Sequence, residues 1–159
     1  MAAKAAFDAE LARSLIDRKR STPGAALPIL HDIQHQFGYI DDAVIPLMAE
    51  ALNISKAEAL GVISFYHDFR RSPIEGRILK LCRAESCQAM GCERLVAHLE
   101  ARHGIRVDDD ADAELHVETV YCLGNCALSP SALLDGEPIG RLDRDRIDAI
   151  VAGARGKTQ

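Results

Sequence analysis

From the amino end, apolar residues recur first at helical spacing and later, past residue 76, at the shorter period of strands. Phe7, Leu11, Leu15 and Ile16 share one face of a helix over residues 7–19, and Pro23 and Gly24 break the pattern. Leu27, Leu30, Ile33 and Phe37 mark a second helix over residues 25–37, with Gly38 as its stop signal. A third is predicted over residues 42–52, turning Val44, Leu47, Met48 and Ala51 inward. Pro46 belongs early in a helix, which moves the start a few residues later. Ser55 and Glu58 have the S-x-x-E spacing of a capping box and open a fourth helix through Leu60 and Ile63 toward Tyr66. Ser72, Pro73 and Gly76 form a linker.

Beyond the linker the period shortens. Arg77–Cys82 reads as a strand entering a cysteine-bearing loop, and Cys92, Leu95, Val96 and Leu99 return to helical spacing up to Gly104. Leu115–Val120 alternates as a strand and ends at Tyr121–Cys122. Ser131–Leu134, the turn Asp135–Gly136 and Pro138–Leu142 predict a hairpin, and Asp143–Ala152 a closing helix. The order strand, helix, strand, strand, strand, helix is that of a thioredoxin-like α/β layer. Its opening strand–helix–strand favours a parallel pair with a right-handed crossover. The expected fold class is α+β: an N-terminal helical bundle over residues 1–74, then a thioredoxin-like α/β domain over residues 75–159.

Composition narrows the function classes. With 48% hydrophobic and 27% charged residues the chain has the profile of a folded protein rather than a disordered one. A net charge of −5 without a basic face argues against a nucleic-acid binder. Arg18–Lys19–Arg20 complements the dipole at a helix end, and Asp108, Asp109, Asp110 and Asp112 read as a solvated loop. No apolar stretch approaches bilayer-spanning length, so no direct membrane insertion is expected. The first twenty residues lack the apolar core of a signal peptide and carry Asp8 and Glu10, which predicts a cytoplasmic location.

Cysteine carries the chemistry. All five lie between Cys82 and Cys126, and in a reducing compartment clustered thiols bind metal or perform redox chemistry more often than they form disulfides. Four make two pairs, C-x4-C at Cys82 and Cys87 and C-x3-C at Cys122 and Cys126. Each pair follows a predicted strand, which sets all four at the carboxyl end of one sheet, where open α/β sheets bind ligands. A 2Fe–2S cluster takes four thiolates in two pairs, but zinc also accepts four, and spacing alone leaves both open. Thiol–disulfide exchange would need C-x-x-C, and none is present. Cys92 falls well inside the following helix and reads as a small buried residue. Gly91 and Gly124 would let the loop backbone approach a cluster. His31 and His35 have the i, i+4 spacing of an HExxH zinc pair, but with Asp32 in place of Glu and no third ligand they read as helix-surface histidines. His67 and Asp68 read as structural.

The segment CLGNCALSP, with C-x4-C upstream and GVISFYHDFR before it, resembles the thioredoxin-like 2Fe–2S subunits of NADH dehydrogenases, the family of the complex I 24-kDa subunit. The resemblance extends to ILHDIQHQFGYI and to the linker Pro73–Ile74–Glu75–Gly76–Arg77. It implies that Cys82, Cys87, Cys122 and Cys126 hold one 2Fe–2S cluster. It also implies a one-electron carrier with a partner subunit that binds FMN and NAD, since no G-x-G-x-x-G fingerprint occurs here. The plant-type spacing C-x4-C-x2-C is absent. FYHDFR and the short ends most resemble the gamma subunit of NAD-dependent, molybdenum-containing formate dehydrogenase. The equivalent subunit of NADH:quinone oxidoreductase or of an NAD-reducing hydrogenase is the alternative. A zinc-stabilised interaction module is the alternative of another class. Phe65 and Tyr66 are expected to pack against the second half or a partner.

Overall fold

The computed structural model describes residues 6–109 and 114–156. The chain divides into two compact units, Met1–Ile74 and Glu75–Gln159.

The first unit is helical: α1 (Ala9–Lys19), α2 (Ala26–Phe37), α3 (Val44–Leu52) and α4 (Lys56–Phe65). Local chemistry sets the ends. The Asp8 carboxylate accepts from the N–H groups of Glu10 and Leu11 at the start of α1. At α4 the capping box is complete: Ser55 Oγ accepts from Glu58 N–H at 3.1 Å, and the Glu58 carboxylate accepts from Ser55 N–H at 2.8 Å. Pro46 is the third residue of α3, inside the first turn, where its missing N–H leaves no hydrogen bond unmade. Ile16, Ile29, Leu30, Ile33, Phe37, Met48 and Ile63 form the core of this unit. Gln34 ties the return segment to α2, donating to Asp68 O at 2.6 Å and accepting from Arg70 N–H at 2.7 Å. His31 is exposed and its ring lies 5.1 Å from Phe69, which fits a helix-surface histidine.

The second unit carries a four-stranded sheet in the order β2-β1-β3-β4: β1 (Arg77–Cys82), β2 (Leu115–Val120), β3 (Ala132–Leu134) and β4 (Glu137–Ile139). β1 and β2 are parallel, while β1–β3 and β3–β4 are antiparallel. The β3–β4 turn has positive φ at both Asp135 (55°) and Gly136 (91°), the backbone that a tight hairpin requires. Asp135 also accepts from Arg77 Nε at 2.7 Å and from Ile78 N–H at 3.0 Å, locking the turn to β1. Leu79, Leu81, Leu99, Leu115, Val117 and Ile147 fill the core between the sheet and its helices.

The segment between β1 and β2 departs from expectation. A five-residue helix, α5 (Glu85–Ala89), occupies what reads in sequence as a loop. The helix after it, α6 (Cys92–His98), runs into a π-helical turn, Leu99–His103, that ends at Gly104 in the left-handed conformation. Asp108 is not simply solvated: its carboxylate accepts from Thr119 N–H and Oγ1, both at 2.6 Å, fastening the loop to β2. Asp110 and Asp112 lie outside the described residues. The closing helix, α7 (Arg144–Arg155), is capped by Asp143, which accepts from Arg146 N–H at 2.9 Å.

Candidate metal centre

The parallel register sets Cys82 opposite Val120, so the loops leaving β1 and β2 emerge at the same end of the sheet. Cys82 is the last residue of β1 and Cys87 sits in α5, both buried. Cys122 lies two residues past β2, and Cys126 opens a 3₁₀ turn, Cys126–Leu128; both are exposed. The site thus has two thiols set inward and two toward solvent.

Three chain segments are bound together around these thiols. Cys82 N–H donates to Ser131 O at 3.0 Å and Arg83 N–H to Val120 O at 2.9 Å. Ser129 Oγ donates to Cys126 O at 2.8 Å and stands 2.8 Å from Ser86 Oγ. Behind Cys87, its Sγ lies 3.5 Å from Ser129 Oγ and 3.7 Å from Ser131 Oγ. Arg83 forks onto Glu93, Nε to Oε1 at 2.8 Å and Nη2 to Oε2 at 2.9 Å, bracing the two ends of the Cys87 loop.

Backbone and electrostatics both single out the cysteines. Cys122 has φ 69°, a left-handed conformation that costs a residue with a side chain about 1–2 kcal/mol and is found preferentially at functional sites. The Cys126 thiol is held above its ordinary range by the charge of Cys122, by burial, and by the charges of Cys87 and Cys82. All four sulfurs therefore share one electrostatic neighbourhood. Burial pushes the Cys87 thiol up, but its hydrogen bonds with Ser129, Ser131 and Cys82 outweigh that and hold the thiol below its ordinary range. Cys92 differs: fully buried at the start of α6, its thiol is pushed up to about 11 by burial and by Glu93. A buried thiol that resists ionisation fits the small-residue reading.

The donor set fits a 2Fe–2S cluster. Four sulfurs from two loops could supply the four thiolates such a cluster needs, and the Ser131 hydroxyl beside Cys87 would suit its formal charge of about −2. The site contains further residues that the sequence pattern does not flag. Ser129 and Ser131 are buried, and Gly140 lies against the 3₁₀ turn. A Cβ on Gly140 would come within 2.5 Å of Leu128 Cβ and 2.9 Å of Leu128 O. Alternation in β3 marks Ser131 only as a strand entry, and nothing local announces its sulfur partner. Gly91 (φ 92°) and Gly124 (φ 72°) both take left-handed turns. A Cβ at Gly91 would strike the Arg94 guanidinium, whereas one at Gly124 would meet open space.

Fold and site together define a thioredoxin-like α/β domain with a cysteine-lined centre at one end of its sheet. Residues 12–155 match the thioredoxin-like [2Fe-2S] ferredoxin family, and the chain belongs to that family; its cofactor is a 2Fe–2S cluster. It is 32% identical over 132 residues to an NADH-quinone oxidoreductase subunit of Rhizobium meliloti, covering 82% of this chain and 79% of that protein. The alpha subunit of the NAD-reducing hydrogenase HoxS of Cupriavidus necator is 29% identical over 140 residues, covering 87% of this chain and 23% of that one. A crystal structure of NAD⁺-reducing [NiFe]-hydrogenase in the air-oxidized state superposes with a TM-score of 0.71 at 28% identity, over 90% of this chain and 24% of the other. The chain thus spans about a quarter of those hydrogenase chains and most of the NADH-quinone oxidoreductase subunit. It is an electron-transfer 2Fe–2S subunit of the NADH-quinone oxidoreductase or NAD(P)-reducing hydrogenase type. No helix among the described residues is long and apolar enough to cross a membrane.

Proposed function

We propose that Cys82, Cys87, Cys122 and Cys126 ligate the cluster, and that the chain exchanges single electrons with a flavin-containing, NAD(H)-reactive partner subunit. When bound, a 2Fe–2S cluster supplies one-electron chemistry. Cys82 and Cys87 anchor the inner side of the site, and the Ser131 hydroxyl stands beside Cys87 where it can donate to sulfur and stabilise negative charge. Cys122 and Cys126 form its outer side.

The observation that carries the partner reading is the rim of the exposed pair. Tyr121, beside Cys122, is 74% exposed; Met90 is 57% and Leu128, within the Cys126 turn, 39%. Tyr and Met are enriched at protein interfaces, and large apolar side chains held in water beside exposed ligand positions suit a docking face. Phe65 (74%) and Tyr66 (42%) add exposed aromatic surface on the helical unit. A cytoplasmic setting is part of the same proposal.

The finer assignment, to an NAD-dependent molybdenum-containing formate dehydrogenase, rests on the resemblance of FYHDFR, residues 65–70, to the gamma subunits of those enzymes. The equivalent place in an NADH:quinone oxidoreductase or hydrogenase is supported by the relatives above. Tagged chain expressed in its own cells should recover a flavoprotein, and NADH should reduce its cluster in that complex but not in the isolated chain. Formate-driven reduction of the complex would assign the formate dehydrogenase; recovery without any flavoprotein would refute the partner reading.

A further inference from the structure

Away from the cysteines, in the second unit, the π-helical turn and α7 bring two imidazoles onto one carboxylate. His98 Nε2 lies 2.6 Å and His103 Nε2 2.7 Å from the same oxygen, Asp148 Oδ1. The three ligand atoms all fall within 4.8 Å of one another. The local backbone makes the convergence possible. In an α-helix, residues five apart diverge by about 140° around the axis (five steps of about 100°). The i→i+5 pattern of a π turn brings such residues back toward one face, and π turns, rare overall, are frequent at functional sites. His98 and His103 are five apart and bracket the turn Leu99–His103.

We propose that His98, His103 and Asp148 form a three-ligand site for a borderline divalent transition metal of the zinc class. Two imidazole nitrogens and one carboxylate suit zinc, nickel or ferrous iron better than magnesium or calcium, which favour oxygen-only shells. The histidine side chains are 14% exposed and Asp148 34%, enough shelter for a held ion and enough access for water at a fourth position. Arg102 Nε sits 3.3 Å from the other carboxylate oxygen, Oδ2, which leaves Oδ1 facing the imidazoles. Arg155 Nη2 donates to His103 O at 3.3 Å and steadies the turn. Tetrahedral ligands at about 2.0–2.1 Å from zinc stand roughly 3.3 Å apart. The present contacts would open by about 0.6 Å, a shift that side-chain rotation supplies. An ion there would join the π turn to α7. The competing arrangement is a plain hydrogen-bonded clasp in which both imidazoles donate to Asp148.

The test uses the full chain with its cluster loaded, titrated with zinc chloride by calorimetry, with magnesium as control. His98→Gln and His103→Gln each keep an N–H donor toward Asp148 and so preserve the clasp while removing a metal ligand. The expected result is one zinc per wild-type chain, bound at least tenfold more weakly by each variant, with the cluster's visible spectrum unchanged. Zinc-edge X-ray absorption of the wild-type protein should show nitrogen and oxygen ligands only. Equal binding by wild type and both variants, no zinc uptake, or sulfur in the zinc shell would overturn the site. Sulfur ligation would trace zinc to the cysteines, which keeps failure here distinct from failure of the iron–sulfur assignment.

Discussion

Replacing Ser131 with alanine isolates one interaction of the cluster site. The side chain is 1% exposed and its Oγ lies 3.7 Å from Cys87 Sγ. Ser129 is the nearer hydroxyl, but its hydrogen is committed to Cys126 O at 2.8 Å, so Ser131 is the donor free to turn toward a Cys87 thiolate. Alanine keeps the backbone bond in which Ser131 O accepts from Cys82 N–H, so the loop geometry survives. A hydrogen bond to sulfur is stronger when the cluster carries the extra electron. Taking the difference between oxidation states as about 1 kcal/mol, within the usual net worth of such bonds, gives a shift of about 40 mV. Removal should lower the midpoint potential, because the reduced state loses more. A redox titration followed by electron paramagnetic resonance reads this directly in wild type and Ser131→Ala. An unchanged or higher potential with cluster content intact would show that Ser131 does not stabilise the reduced cluster.

Cys92→Ser should retain full iron and acid-labile sulfide, whereas serine at Cys82, Cys87, Cys122 or Cys126 should lose the cluster; iron analysis of the purified variants decides. Gly140→Ala must push the Cys126–Leu128 turn, since the new Cβ meets Leu128 within 2.9 Å, and the cluster should bleach faster in the presence of a chelator. Equal bleaching would show that the turn yields without strain. Hydrogen bonds from His103 and His98 hold the Asp148 carboxyl down to about 2, from an ordinary 3.8. A depressed folded-state value stabilises above the unfolded value and is lost as pH falls through the folded one. In metal-free protein this contribution should fade between about pH 4 and 2, and Asp148→Asn should flatten acid unfolding across that window when followed by circular dichroism.

Much of this architecture is legible in the sequence because it depends on short-range rules. Ser55 and Glu58 announce a helix start through their spacing alone, and the observed capping box has both predicted bonds. Asp135–Gly136 announces a turn that needs positive φ twice. The helix α5 escapes because five residues give less than two helical turns, too short for any hydrophobic period, and its chief apolar residue is Cys87 itself. Asp108 misleads for a related reason: within an acidic run it looks solvated, and its bonds to Thr119 come from a strand eleven residues away. At the site, the four candidate cysteines stand out by type and spacing. Ser129, Ser131 and Gly140 do not, since their roles arise only when β3 and β4 fold back against the cysteine loops.

The thiolates of Cys82, Cys87, Cys122 and Cys126 should together hold a two-iron cluster. Anaerobic purification, iron and acid-labile sulfide assay, and electron paramagnetic resonance after dithionite reduction test it most directly. The expected result is two irons and two sulfides per chain with a spin-one-half signal. Stoichiometric zinc, with no iron and no cluster after reconstitution, would contradict it.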